Sequence, residues 1–414
     1  MANATPFSAL RHRDFRVFWL GLVVSGIGSQ FSTVAMAWQI YELTNSPLHI
    51  GLIGLARAVP HIGLLLFGGL LADAVDRRRL MVVTQAGQFF VSAGLVVMTL
   101  AHSVSPLALY GASMLFALCT SLETPARQSL APNLVPRADL TSALALNSTQ
   151  RQVSIIAGPS VAGVALAIAG PALCYAVDAL SWIAMVAALL LLRAPPQPEK
   201  GLQAISLRSL REGVRFVWTH TVILSFMALD FGMNLFGSTR ALLPIFARDI
   251  LGAGPQGLGV LYSASAVGSL AAAAVMGLAG HRRRAGLWVF LGVTIYGLCN
   301  SAFAVSQTFW LSALMLAGAG AGNTIGAVLR HTINQLATPD GLRGRVASVN
   351  SVFTSGGPQL GQFEAGLVAA YFGAEMAALI GGLVTLALAA VLAATAPLLR
   401  RFEIKEGSAG PEAT

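Results

Sequence analysis

The chain has 414 residues, of which 55% are apolar and only 10% are charged, and its mean hydropathy is +0.71. Soluble domains usually carry about 25% charged residues, so this composition excludes a water-soluble globular protein and predicts an integral membrane protein. The net charge of +9 would suit a nucleic-acid partner, but the positions of the basic residues exclude that reading, as shown below.

Hydrophobic runs, separated at Pro, Gly and charged clusters, predict twelve membrane-spanning helices of about 20 residues or more. The first six are predicted near 15–41, 48–72, 79–101, 105–130, 143–169 and 172–193. The second six are predicted near 219–247, 256–279, 285–305, 307–336, 346–372 and 375–399. The predicted fold is an all-α membrane protein with its helices in two six-helix bundles.

One long polar connection separates the two sets of spans. It opens APPQPEK and runs from 194 to 218. The predicted domains are an N-terminal bundle at 1–193, a cytoplasmic linker at 194–218, a C-terminal bundle at 219–399 and a cytoplasmic tail at 400–414.

Basic residues mark one side of the predicted membrane segments. Of the 26 Lys and Arg residues, 22 fall at the two termini or in every second loop, and the alternate loops contain only Arg248. Because basic residues resist translocation, the rich side is the cytoplasmic one. Both termini are therefore predicted to be cytoplasmic, and the net charge is a topology signal that excludes nucleic acid as a partner.

An internal repeat supports the two halves. Residues 123–170 resemble residues 326–373 at a fixed offset of 203 positions. Both copies enter the membrane from the same side, which indicates the parallel repeats of a two-bundle transporter. The matched pairs include Arg127 with Arg330, Pro136 with Pro339, Asn147 with Asn350, and Gly163 with Gly366.

The second predicted span ends in GGLLADAVDRRR, where an acid meets a block of arginines. Gly69, Asp73, Arg77 and Arg78 resemble the signature loop of the major facilitator superfamily of transporters. The resemblance implies a cytoplasmic gate, in which Asp73 meets the positive end of a helix and the arginines meet helix carbonyl groups. The alternative is that the arginines only anchor the loop on the cytoplasmic side.

Four further segments extend this resemblance over nearly the whole chain. They resemble the bacterial exporter subgroup that contains the enterobactin exporter and the macrolide efflux proteins. The resemblance implies a drug, a macrolide or a siderophore-like molecule as cargo. The segments are TPARQSLAPNLVPRADLTSALALNS (124–148), YAVDALSW (175–182), ALLPIFARDILG (241–252) and TPDGLRGRVASVNS (338–351).

The fifth predicted span contains IIAGPSVAGVALAIAG. Its residues Gly158, Pro159 and Gly163 resemble the antiporter motif of the superfamily, which implies a kinked helix and exchange against protons. Proline removes a backbone hydrogen bond and bends a helix, and small residues let a neighbouring helix approach. The alternative is a simple packing face of small residues.

Charged residues inside the predicted spans are the candidates for the cargo and proton pathway, because a charge at the bilayer centre costs about 2.5 kcal/mol or more. Asp230 and Glu364 are the predicted proton carriers. The alternative is permanent salt bridges between helices, above all for Asp178. The full candidate set is Arg57, His61, Arg151, Asp178, Asp230, Asn234, Arg240 and Glu364.

Glu123 and Arg127 lie one turn apart at the cytoplasmic end of the fourth span, in the favourable order for a helix. We expect them to form a local pair or a gate contact rather than to bind cargo. The predicted cytoplasmic gate comprises Gly69, Asp73, Arg77, Arg78, Glu123, Arg127 and Arg330.

The sequence contains no phosphate-binding loop with Lys, no paired metal-ligand motif and no nucleophile elbow. We therefore expect a transporter and not an enzyme, with no cofactor and no metal. The predicted function is a monomeric secondary transporter of the bacterial inner membrane, which exports a small organic molecule against protons by alternating access. The alternatives are a proton-coupled nutrient importer and a lipid translocator, since a shared fold does not fix direction.

Overall fold

The computed structural model describes residues 7–74, 76–193, 215–278, 285–338 and 343–395, without the side chains of 65–74 and of some positions in the later helices. The predicted tail at 400–414 and most of the predicted linker at 194–218 lie outside the described residues. The described part of the chain is all helical. Its first five long helices are α1 (Arg13–Thr44), α2 (Pro47–Ala74), α3 (Arg77–Leu100), α4 (Pro106–Asn133) and α5 (Leu140–Leu191). The next six are α6 (Thr221–Phe236), α7 (Gly254–Leu278), α8 (Ala285–Val305), α9 (Phe309–Ala337), α10 (Arg343–Phe372) and α11 (Ala374–Thr395).

Local capping residues set several helix ends close to the predicted span boundaries. The carboxylate of Asp76 accepts a hydrogen bond of 3.0 Å from the main-chain N–H of Arg79, so Asp76 is the N-cap of α3. Ser105 caps α4 in the same way, and Pro106 occupies its first turn, where a missing N–H costs nothing. At the end of α1, Asn45 takes the left-handed conformation with φ 46°.

The longest helix, α5, is two helices joined by a break in the backbone. Ala169 and Gly170 have non-helical dihedral angles, with φ 71° and ψ −171° at Gly170. Glycine alone adopts that conformation without strain, and Pro171 then begins the second segment. The break agrees with the predicted spans at 143–169 and 172–193.

The predicted span at 219–247 is not one continuous helix, because α6 ends at Phe236. A segment of short 3-10, α and π turns follows from 239 to 250. Gly237 weakens the helix, and Pro244 cannot donate to it. The backbone group released at the break is bonded again, since the hydroxyl of Tyr296 donates to the carbonyl oxygen of Gly237 at 2.6 Å. Such compensation is what a lipid environment requires.

Eight helices among the described residues are long and apolar enough to cross a membrane. Large apolar side chains on their outer faces are exposed, for example Leu107 at 79% and Leu278 at 90%. These faces suit lipid and would be unfavourable in water. The chain is therefore a multi-pass membrane protein.

The described chain divides into two compact units, each with its own core. Of the described residues, those within 7–45, 56–193 and 253–263 form the first unit, and those within 46–55, 215–252 and 264–395 form the second. The first unit packs Phe18, Met81, Leu130, Met185 and Leu189 together. The second packs Phe226, Leu229, Val293, Ile333 and Ala389 together. The prediction placed 46–55 in the N-terminal bundle and 253–263 in the C-terminal bundle. In the structure, 46–55 belongs to the second unit and 253–263 belongs to the first.

The break in α5 gives a first prediction. Replacing Gly170 by Ala should destabilise the protein by about 1–3 kcal/mol, because a Cβ is strained at this conformation. The measurement is thermal unfolding of the purified protein in detergent. Gly111→Ala in α4 is the control, since a Cβ there meets nothing within 4 Å; it should not lower the midpoint. Equal midpoints for the two variants would contradict the prediction.

Candidate functional site

The strongest pairing of charges in the described residues lies in the second unit, between α6 and α9. The guanidinium Nη2 of Arg330 donates to Oδ1 of Asp230 at 2.5 Å. The side chain of Arg330 is only 4% exposed and that of Asp230 is 16% exposed. Arg330 was predicted in the cytoplasmic gate and Asp230 in the proton pathway, and the structure brings the two together. A charge-assisted pair in such surroundings is a strong interaction.

The packing around Arg330 explains how α9 can place a guanidinium inside the unit. One turn earlier is Gly326, where an added Cβ would lie 2.8 Å from Nη1 of Arg330. The glycine therefore leaves the room that the guanidinium occupies. On the other side, Nη1 approaches the sulfur of Met233 at 3.4 Å, so α6 contributes both the acid and an apolar neighbour.

Asn234 lies one turn beyond Asp230 on α6, but its amide does not bond the carboxylate of Asp230. Its amide donates instead to the main-chain carbonyl oxygen of Asp230, at 2.8 Å. The carboxylate of Asp230 faces a cavity of about 210 Å³. The cavity is lined by Phe226, Asp230, Ala327, Arg330, Asn334, Asn350 and Thr354.

Three polar residues of this cavity, Asn334, Asn350 and Thr354, were not predicted as site residues. Asn350 carried a usable signal, because it is the repeat partner of Asn147. Asn334 lies one helical turn beyond Arg330 on the same face of α9. That position becomes informative only when the direction of the Arg330 side chain is known.

Two other candidates in the second unit lie elsewhere. Arg240 is exposed in the segment that follows α6, and Glu364 is half-buried on α10. Neither is among the described residues that line the cavity beside Asp230. Their assignment to the cargo and proton pathway stays a prediction.

In the first unit, Glu123 of α4 is buried, with 5% exposure. Its Oε2 accepts a hydrogen bond of 3.2 Å from the amide of Gln88 on α3. Its Oε1 lies 3.9 Å from Nη1 of Arg127, one turn along α4. The pair is the local contact that the spacing of the two residues suggested.

The predicted cations and the histidine of the first unit lie on two helices. On α2, Nδ1 of His61 is 2.9 Å from the hydroxyl of Ser121, and Arg57 is half-buried one turn before it. On α5, Arg151 is exposed. A contribution of these residues to the cargo pathway stays a prediction.

Asp178 has a different environment, because it is completely buried within the first unit. The hydroxyl of Ser92 on α3 donates to its Oδ2 at 2.6 Å. Oδ1 has no hydrogen-bond partner among the described residues. The hydroxyl of Ser181 donates to the main-chain carbonyl of Asp178 at 2.7 Å. The bond from Ser92 joins α3 to α5, and it favours a structural function for Asp178.

The arginine block of the predicted gate contacts its own unit. Nη2 of Arg78 donates to the carbonyl oxygen of Leu190 at 2.9 Å, and Nη1 of Arg13 donates to that of Leu191 at 3.3 Å. Both cations therefore meet the negative end of α5, as helix dipoles favour. Arg77 is the first residue of α3. The side chains of Gly69 and Asp73 lie outside the described residues.

The residues of the antiporter-like motif make close helix contacts. A Cβ at Gly158 would lie 2.5 Å from Cγ of Gln30, and one at Gly163 would lie 2.9 Å from Cα of Gly259. The hydroxyl of Ser160 also donates to that of Ser263, at 2.7 Å. Small residues permit this approach. The backbone angles of α5 stay helical at Pro159, and the break falls at 169–170.

Long apolar helices with paired charges in their interior are typical of multi-pass membrane proteins, transporters among them. The chain belongs to the transmembrane secretion effector family of the major facilitator superfamily, because the family's sequence model matches residues 4–409. Its relatives are transporters, and the chain is accordingly a transporter and not an enzyme.

Curated relatives cover nearly the whole chain. The enterobactin exporter EntS of Escherichia coli O1:K1 is 27% identical over 395 residues, which is 94% of each protein. EntS of Citrobacter koseri is 27% identical over 339 residues, covering 81% of this chain and 80% of the relative.

Solved structures with this fold include three transporters. The nucleoside transporter NupG matches with a TM-score of 0.74 and 14% identity, over 92% of this chain and 98% of that one. A bacterial homologue of the lysosomal transporter Spinster, inward-facing and occupied, matches with a TM-score of 0.74 and 13% identity, over 96% and 99%. A bacterial homologue of the iron transporter ferroportin, in an inward-facing state, matches with a TM-score of 0.71 and 14% identity, over 91% of this chain and 98% of that one. At these identities the likeness shows the fold alone.

The burial of Asp178 gives a second prediction. Asp178→Ala should lower stability by about 1–3 kcal/mol, because the hydroxyl of Ser92 loses its buried acceptor. Transport per folded molecule should be retained. Thermal unfolding in detergent and flux normalised to folded protein measure the two quantities. The exposed acid Asp249, replaced by Ala, is the control for loss of a carboxylate. Lost flux with unchanged stability would place Asp178 in the transport pathway instead.

Proposed function

We propose that this protein is a secondary transporter of the bacterial inner membrane, with twelve spans in two six-helix bundles and both termini in the cytoplasm. It exports small organic molecules of the siderophore-like or drug class. The observation that carries this proposal is the similarity to the enterobactin exporters over 94% of both chains. The excess of arginine in every second loop supports the orientation.

We further propose that export is driven by proton antiport. The supporting observation is the pair of Asp230 and Arg330, because an acid in the bilayer interior must be neutralised by a partner or by a proton. Arg330 can neutralise Asp230 because the two are bonded, and a proton can do so because Asp230 also lines a cavity. Glu364 is the second candidate acid.

Alternating access is part of the same proposal. It needs helix contacts that can rearrange without a large loss of interaction free energy. Two such contacts involve repeat partners. Gly163 lies against Gly259, and Gly366 lies against Gly51, where an added Cβ would be 2.6 Å from Cα of Gly51. Glycine at these contacts lets the helix backbones approach closely without interlocking side chains, so that the helices can shift against each other as rigid elements. The protein works as a monomer in this proposal.

The direction of transport is tested in everted membrane vesicles from cells that express the protein. With the vesicle interior acidified, enterobactin or a drug recognised in a growth screen should accumulate inside, and its addition should discharge the pH gradient. The matched control is vesicles from cells with the empty vector. A proton-coupled importer would instead release the preloaded compound together with protons, and that result would overturn the proposal.

Proton coupling through Asp230 gives the next prediction. Asp230→Asn should abolish uphill efflux in reconstituted vesicles and retain downhill exchange of labelled cargo, because the amide cannot carry the proton. Glu364→Gln is the matched control and should keep uphill efflux. If Asp230→Asn keeps full uphill efflux and Glu364→Gln loses it, the proton carrier is Glu364 and not Asp230.

A further inference from the structure

Arg151 of α5 has no partner among the described residues. Its side chain is exposed, and no described residue forms a hydrogen bond or an ion pair with it. The residue lies eight positions into the predicted span at 143–169, which is about 12 Å along the helix axis. An arginine at that depth in a hydrocarbon core of about 30 Å is costly unless it meets water or an anion.

Two side-chain bonds to α1 fix the rotation of α5 at this point. The amide Nε2 of Gln150 donates to the carbonyl oxygen of Leu22 at 2.8 Å, and Nε1 of Trp19 donates to the carbonyl oxygen of Leu146 at 3.0 Å. Positions 146 and 150 therefore face α1. Arg151 is turned from Gln150 by about 100° around the helix, so it does not enter the contact between α1 and α5.

A second guanidinium acts on Arg151 from the neighbouring helix. Helix α4 packs against α5, and the charge of Arg127 on α4 lies within electrostatic range of Arg151. Arg127 has Glu123 as its acid, but the 3.9 Å between Nη1 and Oε1 is too long for a hydrogen bond. The carboxylate of Glu123 bonds Gln88 instead. Among the described residues, two neighbouring arginines are thus accompanied by one acid, and like charges repel unless an anion lies between them.

The chemistry of the two guanidinium groups selects the ligand. Neither group donates a hydrogen bond to a described residue, and each carries five N–H donors in a planar fork. A carboxylate matches that fork with two parallel hydrogen bonds. A lipid headgroup does not fit the depth of Arg151, because headgroups lie outside the hydrocarbon core.

Resting on the proposed export of small organic molecules, we propose that Arg151 and Arg127 form a subsite for the carboxylate of an anionic cargo molecule. Arg151 binds the carboxylate directly, and Arg127 supplies the second positive charge, in addition to its local pair with Glu123. Gln150 is a positioning residue, because its bond to α1 holds α5 in the rotation that presents Arg151. The subsite recognises charge, so that an uncharged carboxamide of the same shape binds weakly.

Benzoate and benzamide are the probes, because they have nearly the same shape and differ in charge. Ligand-observed NMR titrations use the purified full-length protein in detergent near neutral pH. Benzoate should bind the wild type with a Kd of about 1 mM, as expected for a fragment of this size, and benzamide should bind about tenfold more weakly or less. Added NaCl should weaken benzoate alone, because salt screens charges. Inorganic phosphate tests whether any oxyanion binds as well.

Arg151→Gln should weaken benzoate by about tenfold or more and leave benzamide unchanged. It should also raise the thermal unfolding midpoint of the ligand-free protein, because it removes a charge that no described acid neutralises. If that variant does not fold, Arg151→Lys keeps the charge without the planar fork, and it should weaken benzoate alone. The matched control is Arg248→Gln, which removes an exposed arginine of the segment after α6 and should leave both affinities unchanged.

Three results would overturn the subsite. The first is benzoate binding that is absent, no tighter than that of benzamide, or matched by inorganic phosphate. The second is equal benzoate affinity in the wild type and the Arg151 variants. The third is a lowered unfolding midpoint in Arg151→Gln, because an acid outside the described residues would then already neutralise Arg151.

Flux in everted vesicles separates the subsite from the transport proposal. Binding of benzoate that depends on Arg151, without export of any compound, refutes the transport proposal alone. Export of a carboxylate compound that Arg151→Gln leaves unchanged refutes the subsite alone.

Discussion

A charge inside a bilayer must have a partner, and this constraint decides where the polar residues of the chain lie. The energetic cost of an unpaired ion in hydrocarbon exceeds what one side chain gains by packing. Three acids in the described helices meet this constraint in three ways. Asp230 bonds an arginine, Glu123 combines an amide with a more distant arginine, and Asp178 takes a serine hydroxyl. The helices that supply these partners are thereby fixed in rotation about their axes.

The same constraint applies to the backbone, since water cannot satisfy a broken helix in lipid. The interruption after α6 is tolerated because the hydroxyl of Tyr296 bonds the carbonyl of Gly237, and Thr239 donates to the amide oxygen of Asn300 at 3.1 Å. Both partners come from α8. The two helices are thus joined where α6 ends, about two helical turns beyond Asp230, which limits how far that residue can move relative to α8.

Hydropathy and charge patterning predict the helices well because burial in lipid acts on every residue of a span. Boundaries such as Gly170 and Ser105 follow from local turn chemistry that is visible in the sequence. The pair of Asp230 and Arg330 could not be predicted in this way. The residues are 100 positions apart, and depth alone assigned them to different functions. The contact depends on how α6 packs against α9, and a single sequence carries no record of that.

The repeat supports our proposal that proton coupling involves the second half and not the first. Arg127 and Arg330 are repeat partners, yet they pair with acids in different places. The acidic partner of Arg127 is Glu123, which lies one turn away on the same helix. In the second copy of the repeat, the position equivalent to Glu123 is Gly326. The acidic partner of Arg330 is instead Asp230 of α6. A pair within one helix persists through any rigid movement of that helix. A pair between two helices depends on their packing, so only the second arginine can exchange its partner when helices rearrange. The proton-coupled cycle that we propose requires such an exchange.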